Sequence, residues 1–350
     1  MPYLRNAWYV AAYDHDVTQK PLSRTLLDTP VVLFRGESGT AMALADRCPH
    51  RLVPLSRGKV TGDHLECGYH GLRFDGGGAC VLNPHGGGHI PSSANVRSFP
   101  LIERHGLIWL WPGDPSRASP DLIPGDFAVL DSPQIRFIRG YIRVKANFQL
   151  IVDNLLDLSH TFYVHPQFAA TSKAPEGAVR APPKLKVERD GTSVWSYSSM
   201  DHVPATDLNR RMGAKADWVN ARAHMRWFPP ALLYFDLGFT ECTAEAADYR
   251  QPGTHFITPE TELTSHYFFT QGRSIELNSA ETDEFVRQGV TFAFAQQDEP
   301  MLEAQQASLG NTGDIMAAKP VLLKTDAAPM AARRMLEELM EKEAAPQRPR

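Results

Sequence analysis

Cysteine is scarce here, with four residues in 350. They are too few and too scattered for a disulfide framework, so the chain reads as one that works in a reducing compartment, with the cytoplasm as the expected location. No apolar run is long enough to span a bilayer. The N-terminal segment carries Arg5 but lacks the apolar stretch of a signal peptide. Charge of one sign is also in short supply: 36 lysines and arginines face 40 aspartates and glutamates, a net charge of −4. That balance argues against nucleic acid or an anionic membrane as partner. No Gly-x-Gly-x-x-Gly follows a strand pattern, so no dinucleotide fold is expected. There is no internal repeat. With 43% apolar residues the chain can bury ordinary cores, and its length suggests two domains.

Two of the four cysteines are placed informatively. Cys48-Pro49-His50 is followed, after sixteen residues, by Cys67-Gly68-Tyr69-His70. Two thiolates and two imidazoles could hold zinc. In zinc fingers, however, the cysteines pair with each other and so do the histidines, whereas here each half carries one of each. A Rieske [2Fe–2S] cluster wants that arrangement, because one iron takes both sulfurs and the other both imidazoles. Pro49, Gly68 and Gly71 can shape tight loops that aim backbone N–H groups at the sulfurs. Cys80 and Cys242 need no role beyond that of small apolar residues. The stretch Asn83-Pro84-His85-Gly86-Gly87-Gly88-His89 reads as a solvated loop rather than a further metal site.

A second signature lies downstream. Asn147 to His160 reads as a helix, with apolar residues at 148, 151, 152, 155, 156 and 158 forming a broad stripe. Asp157 and His160 would then share a face. His160 and His165 would stand about 140° apart on an ideal helix, so they can share a metal only if the helix ends or distorts between them. Thr161, Tyr163, Val164 and Pro166 make such an ending plausible. The plain alternative is two hydrogen-bonded interior histidines. A redox cluster upstream favours ligands, because two histidines and a carboxylate make a non-haem Fe(II) site that would accept the cluster's electron.

Short strand-like runs (Val31–Phe34, Ala41–Ala45, Leu107–Trp111) give the first part a β character. The Pro/Gly/Ser-rich piece from Pro112 to Pro120 reads as a linker. Later strands are expected at Ser193–Ser198, Leu232–Leu237 and Ser265–Thr270, with helices over about 281–309, broken near Pro300, and over Met330–Glu343. The expected domains are residues 1–118, a linker over 119–140, a second domain over 141–345 and a frayed tail over 346–350.

These motifs, together with Arg5-Asn6-Ala7-Trp8-Tyr9-Val10, Val152-Asp153-Asn154-Leu155-Leu156-Asp157, Ile257-Thr258-Pro259-Glu260-Thr261 and Glu303-Ala304-Gln305-Gln306, carry a resemblance. The chain resembles the terminal oxygenase components of Rieske non-haem iron oxygenases, in particular the vanillate and dicamba O-demethylase and toluenesulfonate methyl-monooxygenase group. The resemblance implies an α+β chain, with an N-terminal all-β Rieske domain followed by a helix-grip, START-like catalytic domain. It implies a [2Fe–2S] cluster on Cys48, His50, Cys67 and His70, and mononuclear Fe(II) on His160, His165 and Asp298, with Glu299 as the alternative carboxylate. Read locally, Asp298 ahead of Glu299-Pro300 could equally be a helix cap. By the same likeness Asp157 bridges His160 to a Rieske histidine of the next subunit in a homotrimer. His255 and Tyr234 are candidates for touching a small aromatic substrate, and Gly289 stands where the dicamba enzyme offers a tryptophan. Electrons would come from an NAD(P)H-dependent reductase or ferredoxin, and O₂ would be the oxidant. The implied activity is O-demethylation of a methoxylated aromatic acid with release of formaldehyde. Ring hydroxylation by a hydroxylase or dioxygenase, and a bare Rieske electron carrier, are the alternatives.

Overall fold

A computed structural model describes residues 3–169 and 182–345. Their contacts divide into two compact units. One runs up to Ile123 and takes in Thr258–Glu262; the other comprises Pro124–Ile257 and the chain from Leu263 onward.

The first unit is built from small antiparallel sheets. Tyr9–Tyr13, Leu107–Leu110 and Leu101–Arg104 form one, and Leu22–Leu26, Thr29–Arg35 and Ala41–Ala45 another. A four-stranded sheet joins Lys59–Thr61, His64–Glu66, Arg73–Phe74 and Cys80–Leu82. Val31–Phe34 are buried without alternation, as a strand covered on both faces requires. Leu27 and Asp28, at φ 52° and 59°, make the two-residue hairpin turn that precedes them. Val32, Phe34, Leu44, Leu55, Leu65 and Phe74 form a core that also encloses Cys48 and Cys67. The strip from Thr258 joins this unit: Thr258 Oγ1 donates to the Val10 carbonyl at 2.7 Å, and Leu27 N–H donates to the Pro259 carbonyl at 2.8 Å.

The second unit is α+β. Its eight-stranded sheet runs, in order, Arg136–Val144, Thr264–Arg273, Gly253–Thr261, Leu232–Glu241, Trp218–Phe228, Val194–Pro204 and Lys184–Arg189, with Asp248–Arg250 paired to Leu232–Glu241. Lys184, Lys186, Glu188 and Arg189 line the last edge with charge, which discourages further pairing. The stretch expected to be linker thus holds two 3₁₀ segments, Pro120–Leu122 and Gly125–Asp131, and the start of the first strand of this sheet.

The helix Phe148–Leu156 buries Phe148, Leu150, Ile151, Val152, Leu155 and Leu156, and Asn147 caps it by accepting from Gln149 N–H. The last helix, Ala327–Ala344, packs against it, and the buried Arg333 forks onto both carboxylate oxygens of Asp153. The expected frayed tail at 346–350 lies outside the described residues.

Candidate metal centres and the adjoining cavity

The first centre rests on two loops with the same backbone pattern. Cys48 N–H donates to Val53 and its carbonyl accepts from Leu52; Cys67 N–H donates to Leu72 and its carbonyl accepts from Gly71. The residue four past each cysteine is left-handed, Leu52 at φ 61° and Gly71 at φ 72°. Only the second is a glycine, so the shared fold of the loops, rather than side-chain freedom, imposes this conformation. Both thiols are buried side by side, and the His50 and His70 rings lie 4.5 Å apart, centroid to centroid. Burial pushes the Cys48 thiol up to about 11, the His50 and Arg51 N–H groups at its sulfur work against this, and neighbouring Cys67 adds to the rise. Such thiols ionise only beside a strong positive charge, and the four side chains suit a two-iron cluster that supplies one. Sequence reasoning missed His85. It is exposed, as expected of its loop, yet its Nε2 lies 2.9 Å from the His70 carbonyl, and it lines a recess with His50 and His70.

The second centre corrects the helix reading of Asn147–His160. The helix ends at Leu156, and Asp157 is extended (φ −109°, ψ 90°), its Oδ1 accepting from Ser159 N–H to cap a 3₁₀ turn, Leu158–His160. A short turn, Thr161–Val164, follows, and His165 leaves it at φ −119°, ψ 54°. This break removes the angular mismatch of a straight helix. The ligand-capable atoms of His160, His165 and Asp298 all lie within 4.8 Å of one another. Asp298 Oδ1 stands 3.1 Å from His165 Nε2 and 3.5 Å from His160 Nε2, buried and without a hydrogen-bond partner. A carboxylate and two imidazole nitrogens aimed at one point are the oxygen and nitrogen donors of a cation, so the donor set fits a divalent metal of 2-His-1-carboxylate type. Burial pushes His165 down, and Asp298, Gln297 and the Val164 backbone together more than reverse the shift. Both rings are oriented through Nδ1: His160 onto the Asp157 carbonyl at 2.7 Å and His165 onto Gln297 Oε1 at 2.8 Å. It is therefore the backbone of Asp157, not its carboxylate, that holds His160 within one chain.

Asp298 comes from a helix that does not break at Pro300. Ala280–Thr291 passes into a π-helical turn, Phe292–Asp298, and on into Glu299–Leu309. Pro300 cannot donate its N–H, and its ring would crowd the carbonyl four residues back; the wider turn just ahead accommodates both. Asp298 has helical φ/ψ and makes no side-chain cap bond, which disposes of the capping alternative. Glu299 does not join the cluster.

A cavity of about 280 Å³ opens beside this trio. Its walls are mainly apolar, with Leu155, Phe162, Met212, Met225, Phe235 and Phe294 among them. His255 lines it: Nδ1 is 2.7 Å from the Tyr267 hydroxyl, while Nε2 is buried without a partner. Burial lowers the His255 imidazole to about 3, so it is neutral at ordinary pH. Tyr234 is not in the cavity wall. Its strand neighbours Phe235 and Leu237 supply that wall, and side chains alternate along a strand, so Tyr234 belongs to the opposite face. Gly289 does line the cavity, and a β-carbon there would meet no atom within 4 Å.

Two buried thiols with two outlying imidazoles in one unit, and a 2-His-1-carboxylate trio beside an apolar cavity in the other, define an iron–sulfur-dependent non-haem iron oxygenase. Comparison with known proteins agrees. Residues 7–100 match the family described as Rieske [2Fe-2S] domain, and residues 144–342 match vanillate O-demethylase oxygenase C-terminal domain. The chain is 40% identical to the dicamba O-demethylase oxygenase component of Stenotrophomonas maltophilia, over 99% of this chain and 100% of that one. It is 33% identical to a vanillate O-demethylase oxygenase subunit of a Pseudomonas species, over 97% and 96%. Among solved structures it matches dicamba monooxygenase bound to 3,6-dichlorosalicylic acid, with a TM-score of 0.88 at 38% identity, over 98% and 99% of the two chains. The chain belongs to the Rieske non-haem iron oxygenases, as an oxygenase component with a vanillate O-demethylase-type catalytic domain. It carries a Rieske [2Fe–2S] cluster and mononuclear iron, and uses O₂ with electrons delivered by a separate redox protein. No described helix is long and apolar enough to cross a membrane.

Proposed function

We propose that this oxygenase removes the methyl group of a methoxylated aromatic acid. The observation that carries the reading is the apolar cavity, which runs from His160, His165 and Asp298 to one unpaired polar atom, His255 Nε2. Cys48, Cys67, His50 and His70 hold the cluster, and His160, His165 and Asp298 hold the iron. When bound, the ferrous ion supplies the place where O₂ is reduced. With the Tyr267 hydroxyl donating to Nδ1, His255 Nε2 carries the ring proton and offers it to a polar group of the substrate, fixing which end of the ring faces the metal ligands. The apolar walls exclude water that would compete for this contact. In balance, the methoxyarene, O₂, two electrons and two protons give a phenol, formaldehyde and water: one oxygen atom enters the methyl carbon, and the resulting hemiacetal loses formaldehyde.

Electrons come from an NAD(P)H-dependent reductase, directly or through a ferredoxin. Asp157 bridges the two centres across subunits of a homotrimer, in which one subunit's cluster serves its neighbour's iron. The free thiols of the chain suit the cytoplasm. A panel of methoxybenzoates and uncharged methoxyarenes, run with a surrogate reductase and a formaldehyde readout, tests the reaction; oxidation without carbon loss would make it a ring hydroxylase. Replacing His160, His165 or Asp298 with alanine should abolish turnover and mononuclear iron while leaving the cluster's visible absorbance. A wild-type iron content in any of the three removes that residue from the ligand set.

A further inference from the structure

His165 is gripped at both ring nitrogens by consecutive residues of one helix. Asp298 faces Nε2, with its oxygens 3.1 and 3.2 Å away, and Gln297 Oε1 accepts from Nδ1 at 2.8 Å. The Gln297 amide is itself held. Gln167 Nε2, two residues beyond His165 in the turn Pro166–Ala169, donates to the same Oε1 at 2.7 Å, and Gln297 Nε2 lies 3.5 Å from Gln167 Oε1. An amide oxygen can only accept, so this pairing fixes His165 with its proton on Nδ1 and its lone pair on Nε2.

We infer that Gln297 is a positioning residue for the mononuclear iron. It sets the tautomer and ring angle of His165, with Gln167 as its clamp. The two histidines are oriented at Nδ1 by different means: His160 by a backbone carbonyl, which no substitution removes, and His165 by this side-chain oxygen. A carboxylate in its place would still accept the proton, so the inference requires the hydrogen bond rather than the amide itself. The inference rests on His165 being an iron ligand.

The test uses the full-length protein with its cluster intact and its mononuclear iron removed. Binding of Fe(II) is measured anaerobically by equilibrium dialysis with metal analysis, and binding of Co(II) by its visible spectrum. Gln297→Leu should weaken Fe(II) binding by about 10- to 100-fold, while Gln297→Glu, which keeps an acceptor, should lose no more than about threefold. Cluster absorbance and thermal melting report folding. If leucine disturbs the helix, the unbranched Gln297→Met replaces it and should show the same loss. Wild-type affinity in the apolar variant overturns the inference. Equal losses for the apolar variant and Gln297→Glu also overturn it, because packing rather than the hydrogen bond would then be responsible. His165→Ala is the control: if it retains the iron, the ligand assignment itself fails, and if it loses the iron while Gln297→Leu does not, only the role of Gln297 fails.

Discussion

His255 makes the catalytic unit's stability depend on pH in a way that one substitution should erase. The side chain is 1% exposed, with an imidazole lowered by burial to about 3, against the usual 6.5 of an unfolded chain. Between those values the unfolded state binds the proton and the folded state does not, so stability falls as pH falls. The contribution is intact above about pH 6.5, is reduced by about 2 kcal/mol at pH 5, and by about 5 kcal/mol once the folded form also protonates. His255→Gln keeps an acceptor for the Tyr267 hydroxyl and cannot titrate. The assay is thermal or urea unfolding of both proteins at pH 7.5 and pH 5, with the cluster followed separately by absorbance. Groups other than His255 titrate alike in both and cancel in the difference. The wild type should lose about 2 kcal/mol more than the variant between the two pH values, or roughly 4–8 °C of melting temperature for a unit of this size. Equal pH dependence in the two proteins would mean that the ring takes up its proton within the fold, and would refute the reasoning.

Other substitutions probe other links. Gly289→Leu should raise helix stability by roughly 0.8–1 kcal/mol, because no neighbour needs the glycine. It should also raise KM for substrates with bulky ring substituents by about tenfold, and steady-state kinetics on a graded substrate series checks this. Asp153→Ala leaves the buried Arg333 guanidinium with Gln149 but without its counter-charge and should cost about 3–5 kcal/mol in urea unfolding; a loss below about 1 kcal/mol refutes this. Asp157→Asn preserves the cap on Ser159, because asparagine caps as well as aspartate. It should therefore keep both metals and sediment as the unaltered protein does, while slowing single-turnover electron transfer from a pre-reduced cluster; an unchanged rate excludes the proposed bridge.

The cluster pocket was legible because ligand type and spacing are local properties, and the structure brings Cys48, His50, Cys67 and His70 into two matched loops. The strands around Val31, Leu232 and Ser265 were legible from β-branched and aromatic runs. The iron trio was legible only in part. The periodicity ran the helix on to His160 and put its ending between the two histidines; the structure ends it already at Leu156, where the extended Asp157 caps a new turn with its side chain, which periodicity does not report. Tyr234 was assigned to the right strand and the wrong face, because strand parity has no origin until one wall residue is known. Phe235 would have provided it. Gln297 carried no signal beyond adjacency to Asp298, and its partner Gln167 lies 130 residues away.

The π-helical turn makes helix winding, as well as residue type, a determinant of the iron site. If Phe292–Asp298 wound as regular α-helix with no change in residue number, ordinary i→i−4 bonding would run through, and everything beyond would rotate by about 100° relative to what precedes it. Asp298 would swing away from His165. Gln306, which accepts from Asn147 N–H at 2.9 Å, would lose its place at the head of the helix Phe148–Leu156. A point substitution in this helix alters one contact, whereas a change of winding alters the phase of the metal carboxylate and of the downstream packing together. The two are locked to a single register, and that register is one that a regular α-helix cannot supply.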